Sequence, residues 1–191
     1  MKAVYKWIAI FSARMLLIYV FLFAVYSAIS TLNGFYLLNV IEAKITHLVL
    51  SPFYSEIILS NNTISGIVVA GSQSRLSVSV ADLCIGWFPI AAFASMIIAL
   101  PKIKKSLKIK CLKIGVPLLF AANIARIILI IIAGAEWGMG AFNFFHLVLI
   151  KFDLMILVII LFVYCVKKII TEKEFEKSLS FFKKHEHENR S

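Results

Sequence analysis

Charge is scarce in this chain. Only 16% of its residues are Asp, Glu, Lys or Arg, against about 25% in soluble globular domains. Cysteine is nearly absent. Cys84, Cys111 and Cys165 have no paired spacing, which excludes a disulfide framework and a cysteine-based zinc site. The His185/His187 pair stands isolated in a polar tail, so no metal site is expected, and no cofactor motif occurs. What fills the chain instead is apolar: 61% of its 191 residues are hydrophobic and the mean hydropathy is +0.94. These residues gather into blocks of roughly 20, the length that crosses a bilayer. The sequence reads as an all-α membrane protein forming one domain.

The net charge of +10 does not point to nucleic acid. Lys102, Lys104, Lys105, Lys108, Lys110 and Lys113 fall in one short segment between apolar blocks. Lys167, Lys168, Lys173 and Lys177 follow the last block. Basic residues beside spans mark the cytoplasmic side and meet anionic lipid. Four spans are expected, at about 15–32, 84–100, 114–133 and 147–166. A cleaved signal peptide is the rival reading of the first block, but that block is long for one.

Lys2, Lys6 and Arg14 place the N-terminus in the cytoplasm, as the lysine segment and the 171–191 tail place theirs. The segment 33–82 carries only Lys44 and Arg75, and 134–145 carries no Lys or Arg. Both therefore lie outside. The expected localisation is the cell (inner or cytoplasmic) membrane, multi-pass, with both termini cytoplasmic.

The outer segment 33–82 is expected to form a small extracytoplasmic α/β cap. Residues 40–50 suit an amphipathic helix lying on the membrane, ended by Pro52. "NNTISG" is a turn signal, and its Asn61-Asn62-Thr63 sequon is attributed to chance. "RLSVSV", residues 75–80, alternates with the period of a strand. The loop 134–145 and the belt residues Trp87 and Trp137 complete the outer side.

Polar residues inside a bilayer mark functional or paired sites. Arg126 lies in "AANIARIILI", with Asn123 three residues earlier on the same helical face. His146 opens the fourth block in "NFFHLVLIKFD", followed by Lys151 and Asp153. Arg126 is ~10 Å short of the outer end of its helix at 1.5 Å per residue, within reach of the interface by snorkelling. Cys84 and His146 both stand at outer helix ends. The topology thus brings a thiol, a guanidinium and an imidazole to one level.

Those groups suit acyl chemistry. Cys84 supplies the nucleophile, at a helix N-terminus whose free N–H groups favour negative charge. Asp82 or Ser79 is placed to cap that helix. His146 is placed as general acid/base and Arg126 as oxyanion stabiliser. Asp153 is better placed to pair with Arg126 than to orient His146. The bland alternatives are inert core cysteines, as Cys111 and Cys165 read, and an Arg126–Asp153 helix pair. A non-enzymatic membrane assembly factor or transporter subunit is the rival class, though Pro89 and Pro117 sit toward helix ends rather than at broken midplane helices.

Cysteine at the outer start of one helix, "NIAR" (123–126) in the next and "FFH" (144–146) after it resemble the exosortase/archaeosortase family. The resemblance covers about residues 60–165, including the strand before the cysteine. It implies a membrane cysteine protease or transpeptidase acting outside the membrane on exported proteins. Their C-terminal sorting signal is a short motif, a transmembrane helix and a basic tail. The protein would be held as a thioester on Cys84 and passed to a surface or lipid acceptor. Cys84 carries over as nucleophile, Arg126 as stabiliser of the oxyanion or of a substrate carboxylate, and His146 as acid/base. The partners implied are such exported proteins and the lipid bilayer. Two departures stand out: Ile85 replaces the small hydroxyl residue that usually precedes Gly86, and the chain is a short core version. Histidine at the third place is closer to the bacterial exosortase pattern than to the archaeal one.

Overall fold

The computed structural model describes residues 2–54, 56–68, 75–80, 84, 86–101, 103–151, 154–169 and 171. Helix α1 covers Lys2–Thr31. Its length fits a mostly apolar stretch with no proline and no glycine before Gly34. Helix α2 covers Tyr36–Leu50 and stops at Ser51, one residue before Pro52. Proline's missing N–H and fixed φ forbid another turn.

Three short antiparallel strands follow, β1 (Ile58–Ser60), β2 (Thr63–Val68) and β3 (Arg75–Ser79), in the order β1-β2-β3. Ser60 pairs with Thr63, so Asn61-Asn62 is the whole of the first turn. Asn61 has φ 53°, a value that asparagine tolerates better than most residues. The Asn62 amide then donates to the Val80 carbonyl at 2.9 Å and ties the turn to the end of β3.

Helix α3 covers Trp87–Ala99 and α4 covers Lys105–Lys151. A final helix, α5, occupies 154–169. α4 is not one rod. Gly138, at φ 84° and ψ 179°, breaks the helical path; that backbone conformation is open only to glycine. Residues 134–145, expected as an outer loop, are therefore helical on both sides of a single bent residue. The segment has glycines but no proline, and isolated glycines weaken a helix without ending it. His146 consequently rides on the arm after the bend, ahead of the last helix rather than at its start.

Two described helices, Ile8–Thr31 within α1 and Lys105–Val148 within α4, are long and apolar enough to cross a membrane; Trp87–Ala99 is a shorter apolar helix. The packing has three centres. One joins α3 (Phe93, Ile97), α4 (Leu107, Leu119) and α5 (Val158, Leu161). A second joins α2 (Ala43, Leu50), the sheet (Ile64, Ile67, Leu76) and the far half of α4 (Ile127, Ile131, Ala135). The third is a ring cluster in which Tyr26 lies 5.2 Å from Phe35 and 6.2 Å from Trp87. Trp87, expected in an interfacial belt, is packed into that cluster, because it forms the first turn of α3 against α1. Trp137 is 69% exposed.

α2 is turned inside out relative to a helix at a water interface. Its buried face is Asn39, Glu42, Ala43, Thr46 and Leu50. Its exposed face carries Leu37, Ile41, Ile45, Leu48 and Val49, with Lys44 among them. An interfacial helix would turn its polar stripe to water. Here the polar stripe faces α4 and the apolar stripe faces outward, the arrangement that lipid surroundings favour.

Candidate active site

The site is built where β3, the start of α3 and the middle of α4 meet. Cys84 lies between β3 and α3, half-buried against the cluster around Ile127 and Ile131. α3 begins at Trp87 with Gly86 at its cap position, and no described side chain caps it. Ser79, a candidate cap, belongs to β3, where its hydroxyl accepts from the Asn62 amide. Asp82 and Asp153 lie outside the described residues. The first N–H groups of α3 have no intrahelical partner, as at any helix start, and their positive end lies just after Cys84.

Gly86 has φ 69°, in the left-handed region that glycine enters freely. A β-carbon there would stand 2.9 Å from Asn123 Cγ. The loop therefore presses against α4, and a side chain at 86 would both strain the backbone and collide.

Asn123 and Arg126 meet Cys84 through its backbone. Asn123 Nδ2 donates to the Cys84 carbonyl at 2.5 Å, and Arg126 donates a guanidinium N–H to the same oxygen at 3.4 Å. Spacing of three residues puts both donors on one face of α4. Asn123 is wholly buried and Arg126 is 5% exposed. Among the described residues Arg126 Nε has no hydrogen-bond partner, and the guanidinium makes one long contact, at 3.4 Å.

The same Asn123 nitrogen donates to Glu42 Oε1 of α2 at 3.1 Å. Glu42 is completely buried. Sequence reasoning missed it, because α2 was read as an interfacial helix with its polar side in water. One signal was available: Glu42 is the sole acidic residue before Glu56.

His146 is half-buried and stacks on Phe142 at 5.8 Å between ring centres. Phe142 packs on the same apolar cluster as Cys84. No hydrogen bond among the described residues joins His146 to Cys84. The structure thus brings Cys84, Asn123 and Arg126 together directly, while His146 stacks on a ring that packs elsewhere on the same cluster.

Beside the clamp opens an apolar cleft of about 650 Å³, lined by α1 (Met15, Tyr19), α3 (Pro89, Met96), α5 (Met155) and Arg126. α1 and α5 approach at Phe11 and Phe162, 6.2 Å apart. The cleft lies further along, between Tyr19 of α1 and Met155 of α5. Gly86 and Arg126 lie on its wall, so its contents would adjoin the Cys84 loop.

On the far side of the cap, the Tyr54 hydroxyl donates to Glu136 at 3.0 Å. Desolvation and the Glu136 carboxylate hold the Tyr54 pKa above its ordinary value, so it stays a donor at neutral pH. That bond, with the Ile67–Ile131 cluster, fastens the sheet to α4.

A family model described as a transmembrane exosortase covers residues 3–166. The chain belongs to the transmembrane exosortase family. It is accordingly a membrane protein. Neither a curated protein nor a solved structure is similar enough to this exosortase to be matched to it.

The thiols of this exosortase have separable environments. Cys111 and Cys165 are buried between α4 and α5, while Cys84 is partly open. Alkylation of the intact protein in membranes is expected to modify Cys84 and spare the other two. A membrane-impermeant maleimide applied from outside, followed by peptide mass spectrometry, checks this. Modification of Cys84 only from the cytoplasmic side would reverse the topology.

Proposed function

We propose that this protein is a cysteine transpeptidase that cuts C-terminal sorting signals of exported proteins at the outer face of the cell membrane. The observation that supports it most is the double clamp on the Cys84 carbonyl. Two buried polar side chains of α4 are spent on holding one backbone oxygen beside a thiol. Buried polar groups inside a membrane protein are costly and mark functional sites.

On this reading the Cys84 thiolate attacks the scissile carbonyl carbon, and a C–S bond forms. The oxygen becomes an oxyanion, which the Arg126 guanidinium stabilises with its N–H donors. His146, having taken the thiol proton, returns it to the leaving amine as the C–N bond breaks. A thioester remains. An acceptor amine or hydroxyl on a surface or lipid component then attacks the thioester, and the thiol is regenerated. Water in place of that acceptor would make the same site a protease. His146 comes within reach of the sulfur in the substrate complex, since catalytic hydrogen bonds tighten on binding.

The cleft supports the substrate class. A chain entering the membrane just past Cys84 would lay its apolar helix along the gap between α1 and α5. Met15, Met96 and Met155, three of the chain's five methionines, line it. Flexible thioether side chains adapt to differing apolar surfaces, which suits an enzyme with many substrates. The four-span topology, with Cys84 extracytoplasmic, belongs to the same reading.

The test is to trap the thioester. The full chain is coexpressed with an exported protein that ends in a short motif, one apolar helix and a few basic residues. A covalent adduct containing both proteins is expected, released by neutral hydroxylamine and absent when Cys84 is replaced. Processing with no hydroxylamine-sensitive adduct, even when turnover is slowed by cooling, would count against acyl transfer through Cys84.

A further inference from the structure

Glu42 takes no part in the steps above, yet it is the most deeply placed acid among the described residues. It sits on the inward face of α2 and is wholly buried. Its Oε1 accepts one N–H of the Asn123 amide, and the Cys84 carbonyl accepts from the same nitrogen. A primary amide has two N–H donors, so both are committed. With Glu42 ionised, turning that amide over would set Oδ1 against Glu42 Oε1 and the Cys84 carbonyl oxygen, replacing two hydrogen bonds by two repulsive oxygen–oxygen contacts. Glu42 therefore decides which way Asn123 points. With its acceptor gone, only the Cys84 carbonyl would orient the amide, and Gly86, already pressed against Asn123, would lose its fixed neighbour. Burial raises the Glu42 pKa to about 7, and the Asn123 hydrogen bond and the Arg126 charge partly offset that rise.

We infer that Glu42 is a positioning residue for Cys84, acting through the Asn123 amide. The inference rests on the reading of Cys84 as nucleophile, but the reactivity of the thiol tests it separately.

The experiment compares Glu42→Met, which keeps the volume and removes the acceptor, with Glu42→Gln, which keeps an acceptor oxygen. The full chain is held in lipid nanodiscs. N-ethylmaleimide modification is followed at each cysteine by mass spectrometry, and processing is measured alongside. Glu42→Met is expected to speed Cys84 alkylation several-fold while Cys111 and Cys165 stay unmodified. It is also expected to lower kcat by about a hundredfold with KM little changed, as small misplacements of reacting groups do. Glu42→Gln is expected to match the parent in both assays. Combining Glu42→Met with Asn123→Ala should add little to Asn123→Ala alone, since both break one chain of contacts.

The inference is overturned if Glu42→Met alkylates at the parent rate. It is equally overturned if Glu42→Gln is as damaging as Glu42→Met, or if Cys111 and Cys165 open in both variants, which would mark a general packing role. If Cys84→Ala still processes substrate, the nucleophile reading falls, and the alkylation rates alone decide the positioning role.

Discussion

Cys84→Ala is expected to abolish processing of a coexpressed exported protein while the chain still inserts and folds. The two halves of that expectation have separate physical grounds. Asn123 and Arg126 hold the backbone oxygen of residue 84, not its sulfur, and alanine keeps that oxygen. The sulfur is half-exposed and packs on the edge of the Ile127–Ile131 cluster. Removing it costs about 1 kcal/mol or less, typical of a small change away from a fully packed core. The variant thus subtracts one nucleophile and leaves the clamp in place.

Loss of the nucleophile from a nucleophile–base pair lowers kcat by about 10⁶-fold in the best-studied case, well below any blot's detection limit. Processing is read as the mobility shift of the substrate, and insertion as recovery of the variant in the membrane fraction. Substrate processed at even a tenth of the parent rate would remove Cys84 from the chemistry.

Much of this arrangement was readable from residue types. The Asn61-Asn62 turn, the strand at 75–79 and the end of α2 before Pro52 follow from local backbone preferences that tertiary packing did not override. Asn123 and Arg126 on one face of α4 follow from helical periodicity, and their meeting with Cys84 follows from chain order. What was not readable came from the surroundings of α2. Asn39, Glu42 and Thr46 form a stripe that at a water interface would face solvent. Packed against α4, the same stripe turns inward, where Glu42 meets the Asn123 amide. Periodicity gives the stripe and not its direction.

The path of the chain after Ala133 was hidden for a different reason. Gly134, Gly138 and Gly140 look alike in sequence, yet Gly138 alone takes the bent conformation. Which glycine bends is decided by what the flanking turns pack against. The Phe142 ring reaches back to within 2.9 Å of where a Gly134 β-carbon would lie, so the arm folds back along the helix it has just left. His146 is carried with it toward the Cys84 cluster.

Arg126 should show the second large effect. Its substitution separates a catalytic guanidinium from one that merely joins helices. Arg126→Lys keeps the positive charge near Glu42, so the buried carboxylate is not stranded. Lysine, however, is a point charge without the planar fork, and it holds its water more tightly. Among the described residues, the resting hydrogen bond that would be lost is the 3.4 Å approach to the Cys84 carbonyl, long for a hydrogen bond and therefore a small contribution to the loop. Asn123, at 2.5 Å, still holds it.

The expected result is a protein that melts within a few degrees of the parent but processes substrate about 10²–10³-fold more slowly, the usual cost of losing one oxyanion donor. The loss should fall on kcat, because the guanidinium meets the reacting oxygen only as charge develops there. If Arg126 were helix glue, the order would reverse. Thermal stability and protease resistance would drop first, and the fraction that remained folded would turn over at the parent rate. Measuring turnover per folded molecule distinguishes the two, since only a donor aimed at the transition state slows chemistry in a chain whose packing is intact.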